Sequence, residues 1–239
     1  MPEAEMVFLK TYSCPVCESK FKNLTVKQGR ARLDSSDIDL KPNFKGIETL
    51  KYDIVLCPVC GYAALERYFA SITSTQRKAV LDKITRSFHT AFEEKETTDF
   101  EEACLRFKFA MLSGQVKGVK SSEYGFLSLK YAWLNRAYYN SLEDKDSKKA
   151  KELKDTEMSF LGKALDYFTD ARAKEQSPIC GMDEMTFDCL LAALNIELDK
   201  KDDAKKYLSG ILVSRTASRR IKDKALELKE LLNQDEEEE

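Results

Sequence analysis

The sequence Cys14-Pro15-Val16-Cys17 recurs at Cys57-Pro58-Val59-Cys60, with 39 residues between the two pairs. A tetrahedral zinc ion takes four thiolate ligands at about 2.3 Å, and a Cys-x-x-Cys turn brings two sulfurs to one ion. The spacing therefore predicts one structural zinc ion bound by Cys14, Cys17, Cys57 and Cys60. Gly61 follows the second pair and tolerates a positive φ. Glu18 stands at the matching place, so we expect a less regular first turn.

Two other uses of these cysteines stay open at this point. They are unliganded buried thiols, or a redox Cys-x-x-Cys, which typically starts a helix in a strand-helix-strand unit. Neither pair has that context. The flanking segments Phe21–Val26 and Tyr52–Leu56 have the composition of short strands, and the layout is typical of a zinc ribbon. Because a four-thiolate site is normally closed, we expect the metal to stabilise the module rather than catalyse.

An Arg- and Asp-rich segment lies between the pairs and contains Arg30, Arg32, Asp34, Asp37 and Asp39. Three carboxylates this close could bind a hard cation, but the segment lacks the glycine and terminal glutamate of a calcium loop. A solvated loop with Arg–Asp pairing is the simplest interpretation. A second metal site and a partner-docking patch are the alternatives.

The chain is predicted to be helical beyond about residue 74, because apolar residues recur there at three- and four-residue spacing. His89, between Phe88 and Phe92, is expected to be a structural histidine on the first of these helices. The predicted helix pairs are 75–96 with 99–117, 121–142 with 149–174, and 182–199 with 202–215, followed by a last helix at 218–233.

An internal repeat of the form Ala-x3-(Phe/Leu)-x2-(Ala/Ile) begins at Ala103, Ala164 and Ala204. The preceding helices share a second echo, residues 131–135 and 191–195. This pattern resembles the tetratricopeptide repeat, although its copies are 61 and 40 residues apart instead of 34. Such an array predicts a partner-binding groove lined by Asn135, Arg136 and Asn195. A generic helical bundle is the alternative.

Composition supports a mainly helical chain with a small zinc-ribbon-like β module at its N-terminus. The 239 residues include only 9 glycines and 5 prolines, and 33% are charged. The predicted domains are a four-cysteine module at 1–72, a helical repeat domain at 73–234 and an acidic disordered tail at 235–239. No stretch is long and apolar enough to span a membrane, and residues 1–10 do not have the pattern of a signal peptide.

The four-cysteine segment also resembles a known family. The elements that carry this resemblance are the first cysteine pair, the pattern Arg-x-x-x-Asp-x-x-Asp-x-Asp-Leu at residues 30–40, and the run from Tyr52 to Ala63. Together with the helices behind them they are similar to an uncharacterised bacterial family, domain-of-unknown-function family 2225. The resemblance implies a cytoplasmic bacterial protein and no established activity.

Three functions are compatible with these features. The favoured one is a non-enzymatic scaffold that binds a protein or peptide partner. The first alternative is nucleic-acid binding through the ribbon, with Arg30, Arg32, Lys20, Lys22 and Lys27 on phosphates. The 10 basic and 9 acidic residues of segment 1–72 disfavour this alternative. The second is a metal-dependent enzyme using Asp34, Asp37 and Asp39, although no known catalytic motif is present.

Overall fold

The computed structural model describes residues 2–90 and 95–237. It is mainly helical, with small two-stranded antiparallel sheets near the N-terminus, as the sequence predicts. The chain divides into two compact units, described separately below. The first comprises residues 1–35, 42–119 and 130–157, and the second comprises 36–41, 120–129 and 158–239. These units interleave along the chain.

The strands form hairpins, and two of these hairpins carry the cysteine pairs at their turns. The predicted strand at 21–26 is confirmed as β2, and the one at 52–56 is confirmed only from Ile54, as β5, because Tyr52 ends a 3-10 helix. Their partner strands are β1 and β6, respectively. The strands are β1 (Val7–Ser13), β2 (Lys20–Val26), β3 (Leu33–Ser36), β4 (Pro42–Phe44), β5 (Ile54–Leu56) and β6 (Ala63–Leu65).

Two short helices, α1 (Glu3–Met6) and α2 (Glu66–Phe69), lie among these strands. The longer helices agree with the predicted ones within a few residues at most ends. None in the described residues combines the length and apolar content needed to cross a membrane. They are α3 (Ser74–Lys83), α4 (Phe100–Lys117), α5 (Ser121–Ser141), α6 (Lys148–Lys174), α7 (Glu184–Glu197), α8 (Lys201–Val213) and α9 (Arg219–Glu237).

The helix starts have local causes in the sequence. Thr73 and Gln76 form a capping box at the start of α3, in which each side chain accepts from the other residue's backbone amide. Asp99 caps α4, and Asp183 caps α7, each by accepting a hydrogen bond from the amide three residues on. These caps satisfy amides that have no partner within the helix. Short polar residues before apolar runs therefore set these boundaries.

The first predicted helix, 75–96, is too long. Helix α3 ends at Lys83 and a 3-10 turn follows at Thr85–Ser87. The reason is tertiary: the Thr85 hydroxyl donates to the Cys60 carbonyl at 3.1 Å, and Phe88 lies against Gly61. His89 is consequently exposed and outside any helix, which corrects its prediction as a structural histidine. Residues 91–94, including Phe92, lie outside the described part of the chain.

The cysteines lie inside the main hydrophobic cluster of the first unit. Tyr62 and Phe69 pack with ring centroids 5.0 Å apart, and the buried Lys117 donates from Nζ to the Tyr62 hydroxyl at 3.2 Å and to the Ser71 carbonyl at 3.3 Å. The four cysteines therefore belong to the apolar core of this unit. The buried members are Cys14, Val16, Phe21, Val55, Cys57, Cys60, Tyr62, Ala64, Phe69, Val80 and Ile84.

The second unit has its own core, in which α7, α8 and α9 pack on one another. Ala192, Ala193 and Ala204 are completely buried there, and such small residues allow helices to approach closely. Helix α9 continues to Glu237. The backbone at 235–237 is therefore helical instead of disordered as predicted, and residues 238–239 lie outside the described part.

Candidate metal centre

The four predicted ligand cysteines come together. Their Sγ atoms all lie within 4.8 Å of one another, and the Cys14–Cys60 and Cys17–Cys57 sulfurs are each 3.6 Å apart. Zn–S bonds of about 2.3 Å in a tetrahedron require sulfurs about 3.8 Å apart, so the cluster fits such an ion. Disulfide sulfurs lie about 2.05 Å apart, and all seven cysteines are free. The cluster is therefore a candidate four-cysteine metal site.

The two cysteine turns have the same backbone hydrogen bonds. The amide of Glu18 donates to the Cys14 carbonyl at 2.9 Å, and the amide of Gly61 donates to the Cys57 carbonyl at 3.0 Å. The φ angles of Glu18 and Gly61 are 64° and 74°. The expectation of a less regular first turn is therefore wrong, because Glu18 adopts the left-handed conformation as Gly61 does.

Contacts from α3 support the strained first turn. A left-handed φ costs a non-glycine residue such as Glu18 roughly 1–2 kcal/mol. Arg77 on α3 forms hydrogen bonds with this turn at two places. Its Nη2 donates to the Glu18 carboxylate at 2.8 Å and its Nε to the Val16 carbonyl at 2.7 Å. The Val16 amide in turn points to the Cys14 sulfur at 3.4 Å. Arg77 thus orients the ligand turn, and no local pattern in the sequence marks it.

The protonation of the sulfurs shows why a cation suits this cluster. Hydrogen bonds from Cys57 and Cys60 lower the pKa of the Cys14 thiol to about 2. Donating to Cys14 raises the pKa of Cys57 to about 12, and hydrogen bonds to Cys14 and Cys57 raise the pKa of Cys60. The close approach of the sulfurs therefore favours the thiolate at Cys14 and the thiol at Cys57 and Cys60. A divalent metal would displace these protons, because only thiolates bind it well.

The carboxylates of the Arg- and Asp-rich segment do not form a second metal site. Across residues 2–90 and 95–237, the cysteine cluster is the only group of three or more His, Cys, Asp or Glu side chains close enough to share an ion. Asp39 is completely buried and accepts from the backbone amide of Lys41 at 3.3 Å, while Asp34 pairs with Lys45 at 3.1 Å. These three carboxylates do not meet as one cluster in the described residues, and the hypothesis of an enzyme that uses them stays a prediction.

The three residues predicted to line a groove are already used inside the protein, which corrects that prediction. Asn135 and Asn195 are 2% and 3% exposed, and each donates from Nδ2 to the carbonyl four residues earlier, at 2.6 and 2.7 Å. Arg136 donates to the buried Glu157 carboxylate at 2.5 Å. Buried polar groups need hydrogen-bond or ion-pair partners. Each of these three side chains has its partner within the protein.

Replacing Gly61 by alanine is expected to destabilise the first unit by about 2–4 kcal/mol. Its φ of 74° disfavours any side chain, and an added Cβ would lie 2.5 Å from the Phe88 ring, so strain and overpacking combine. Gly29→Ala is the matched control: its φ is 76°, and its Cβ would meet open space, so we expect a loss of about 1 kcal/mol. Urea unfolding followed by circular dichroism measures both, and equal losses would contradict the contact argument.

Comparison with known proteins identifies a family over most of the chain. A family model described as an uncharacterized protein conserved in bacteria, DUF2225, matches residues 7–232. No curated protein and no solved structure matches the chain.

Proposed function

The chain belongs to this bacterial family, DUF2225, and we propose that it is a non-enzymatic, zinc-containing scaffold protein that binds a protein or peptide partner. A cytoplasmic location is part of the proposal, because four free thiols close together need a reducing compartment. The observation that carries the proposal is the four-cysteine cluster.

The cluster supports a structural zinc ion. Four sulfur ligands are characteristic of structural zinc sites, which leave no coordination position for water or substrate. Cys57 and Cys60 are completely buried and Cys14 is 2% exposed, so solvent has little access to these three residues, while Cys17 is partly buried. Such an ion would hold the hairpins β1–β2 and β5–β6 together and supply folding energy instead of chemistry.

The helical part supports partner binding through a repeat-like array. Asn135 on α5 and Asn195 on α7 occupy matching places in the internal sequence echo and make the same contact with the carbonyl four residues earlier. We propose on this basis that the helices are tetratricopeptide-like. Arrays of this kind characteristically present extended surfaces to protein partners.

The tip of the second cysteine turn supplies a candidate contact for the partner. Val16 in the first turn is completely buried, whereas Val59, at the same place in the second turn, is 58% exposed. The neighbouring Cys57 and Cys60 hold Val59 on a short backbone turn, and Thr85 anchors the Cys60 carbonyl. An exposed apolar side chain on a rigid turn loses little conformational entropy when it binds.

A matched pair of surface variants tests the proposal. Full-length zinc-loaded protein is used to capture partners from its native cells, and each candidate is then titrated against purified wild-type, Val59→Glu and Leu9→Glu protein. We expect saturable binding that weakens at least tenfold in Val59→Glu and is unchanged in Leu9→Glu, because Leu9 is an exposed apolar residue (50%) of β1, outside both the second cysteine turn and the helices. Failure to find a saturable partner, or equal binding by both variants, would count against this role.

A further inference from the structure

A cavity in the first unit is lined by cationic side chains and glycine backbone. Its volume is 530 Å³, within the range of small-molecule sites, and Arg30, Arg32 and Lys45 are its only ionisable lining residues. Three like charges in one cavity repel one another in the absence of a ligand. The complete lining consists of Met6, Gly29, Arg30, Arg32, Lys45 and Gly46.

The protein neutralises these charges only in part. Lys45 pairs with Asp34 at 3.1 Å, but the two side chains are 68% and 54% exposed, so water screens this pair. Arg32 is exposed and forms no ion pair or side-chain hydrogen bond within the described part of the chain. Arg32 therefore adds a positive charge to the cavity with which no carboxylate of the described residues pairs.

The two lining glycines both lie in turns with a positive φ. Gly29 and Gly46 have φ angles of 76° and 74°, and neither amide donates a hydrogen bond within the described residues. A Cβ at Gly29 would meet no atom within 4 Å, so open space faces this position. Amides in turns with positive φ are common donors to anions.

We propose that this cavity binds the phosphate group of a small phosphorylated ligand. A phosphate carries a charge near −2 at neutral pH and several acceptor oxygens, which matches two guanidinium groups, an ammonium group and nearby amides. Arginine pairs with phosphate through two parallel hydrogen bonds.

This site goes beyond the scaffold role and is independent of it, because the cavity lies on the turns around Gly29 and Gly46 and Val59 is not among its lining residues. Loss of partner binding in Val59→Glu and loss of phosphate binding in an arginine variant are therefore separate results.

Calorimetric titration of the full-length zinc-loaded chain with pyrophosphate tests the proposal. We expect saturable binding at about 50 mM salt that weakens as salt increases. In Arg32→Gln the affinity should fall at least tenfold. Arg215→Gln makes the same change at an exposed residue of the second unit and should bind pyrophosphate as the wild type does. Circular dichroism verifies that both variants are folded.

Further ligands separate the possible sources of an anion. Inorganic phosphate should compete with pyrophosphate, and citrate at equal concentration should compete at least tenfold more weakly. Equal competition by citrate would overturn the assignment to phosphate. Absence of pyrophosphate binding, unchanged affinity in Arg32→Gln, or tighter binding of a single-stranded RNA that pyrophosphate does not displace would each overturn the proposal.

Discussion

Replacement of Cys60 by serine is expected to abolish metal binding and unfold the two hairpins that carry the cysteine turns. Cys60 is completely buried, and its sulfur lies 3.6 Å from that of Cys14, so the remaining sulfurs cannot complete a four-thiolate site. Structural zinc contributes about 10–16 kcal/mol of apparent binding energy in small zinc peptides. Zinc per chain, measured by atomic emission, should fall from one to near zero.

Cys189→Ser is the matched control for this experiment. Cys189 is also completely buried, but it lies on α7 in the second unit, in the apolar cluster with Ala192 and Leu228. This variant should lose packing energy and keep one zinc ion per chain. Hydrogen exchange at Ile54–Leu56 and Ala63–Leu65 should increase in Cys60→Ser alone. A Cys60→Ser chain that retains stoichiometric zinc would refute the assignment of Cys60 as a ligand.

Replacement of Glu157 by glutamine is expected to lower the free energy of unfolding by about 3 kcal/mol. The Glu157 side chain is 4% exposed and that of its partner Arg136 is 13% exposed, and their charged atoms are 2.5 Å apart. The substitution removes the buried carboxylate that pairs with Arg136, and breaking a buried ion pair by removing one partner costs 3–5 kcal/mol in known cases. Glutamine keeps the size of the side chain, so the loss reports mainly on charge.

Lys154→Gln is the control that distinguishes the loss of a buried ion pair from the loss of a solvent-exposed one. Lys154 also pairs with Glu157, at 3.2 Å, but its side chain is 48% exposed, so we expect a loss below about 1 kcal/mol. The double variant Arg136→Met/Glu157→Leu should recover much of the lost stability, because apolar residues need no compensation. Denaturant unfolding measures all three, and equal losses in Glu157→Gln and Lys154→Gln would disprove the burial argument.

Features that depend on neighbouring residues could be predicted from the sequence. Two matching Cys-x-x-Cys pairs are sufficient to predict the cluster, because four thiolates are a usual ligand set of structural zinc, although the sulfurs 3.6 Å apart belong to different pairs. The starts of α4 and α7 follow from Asp99 and Asp183, which cap them through amides three residues away. Each pair and each cap is recognisable within one turn of chain.

Features that depend on distant contacts could not be predicted. The periodicity of apolar residues predicts that the first helix continues to residue 96. The observed helix α3 ends at Lys83 because Thr85 and Phe88 contact the second cysteine turn. A glutamate after the first cysteine pair suggests an irregular turn, yet Arg77 on α3 contacts Glu18 there and the backbone repeats the second turn.

Sequence alone determined which four sulfurs meet, where most helices begin and end, and that the chain is mainly helical. Only the tertiary structure decided which of the two Cys-Pro-Val-Cys turns exposes its valine side chain to solvent. Val16 and Val59 stand in identical tetrapeptides, yet one is buried and the other is exposed. The physical reason is that chemical type and spacing are encoded locally, whereas solvent exposure depends on which distant elements pack against a residue.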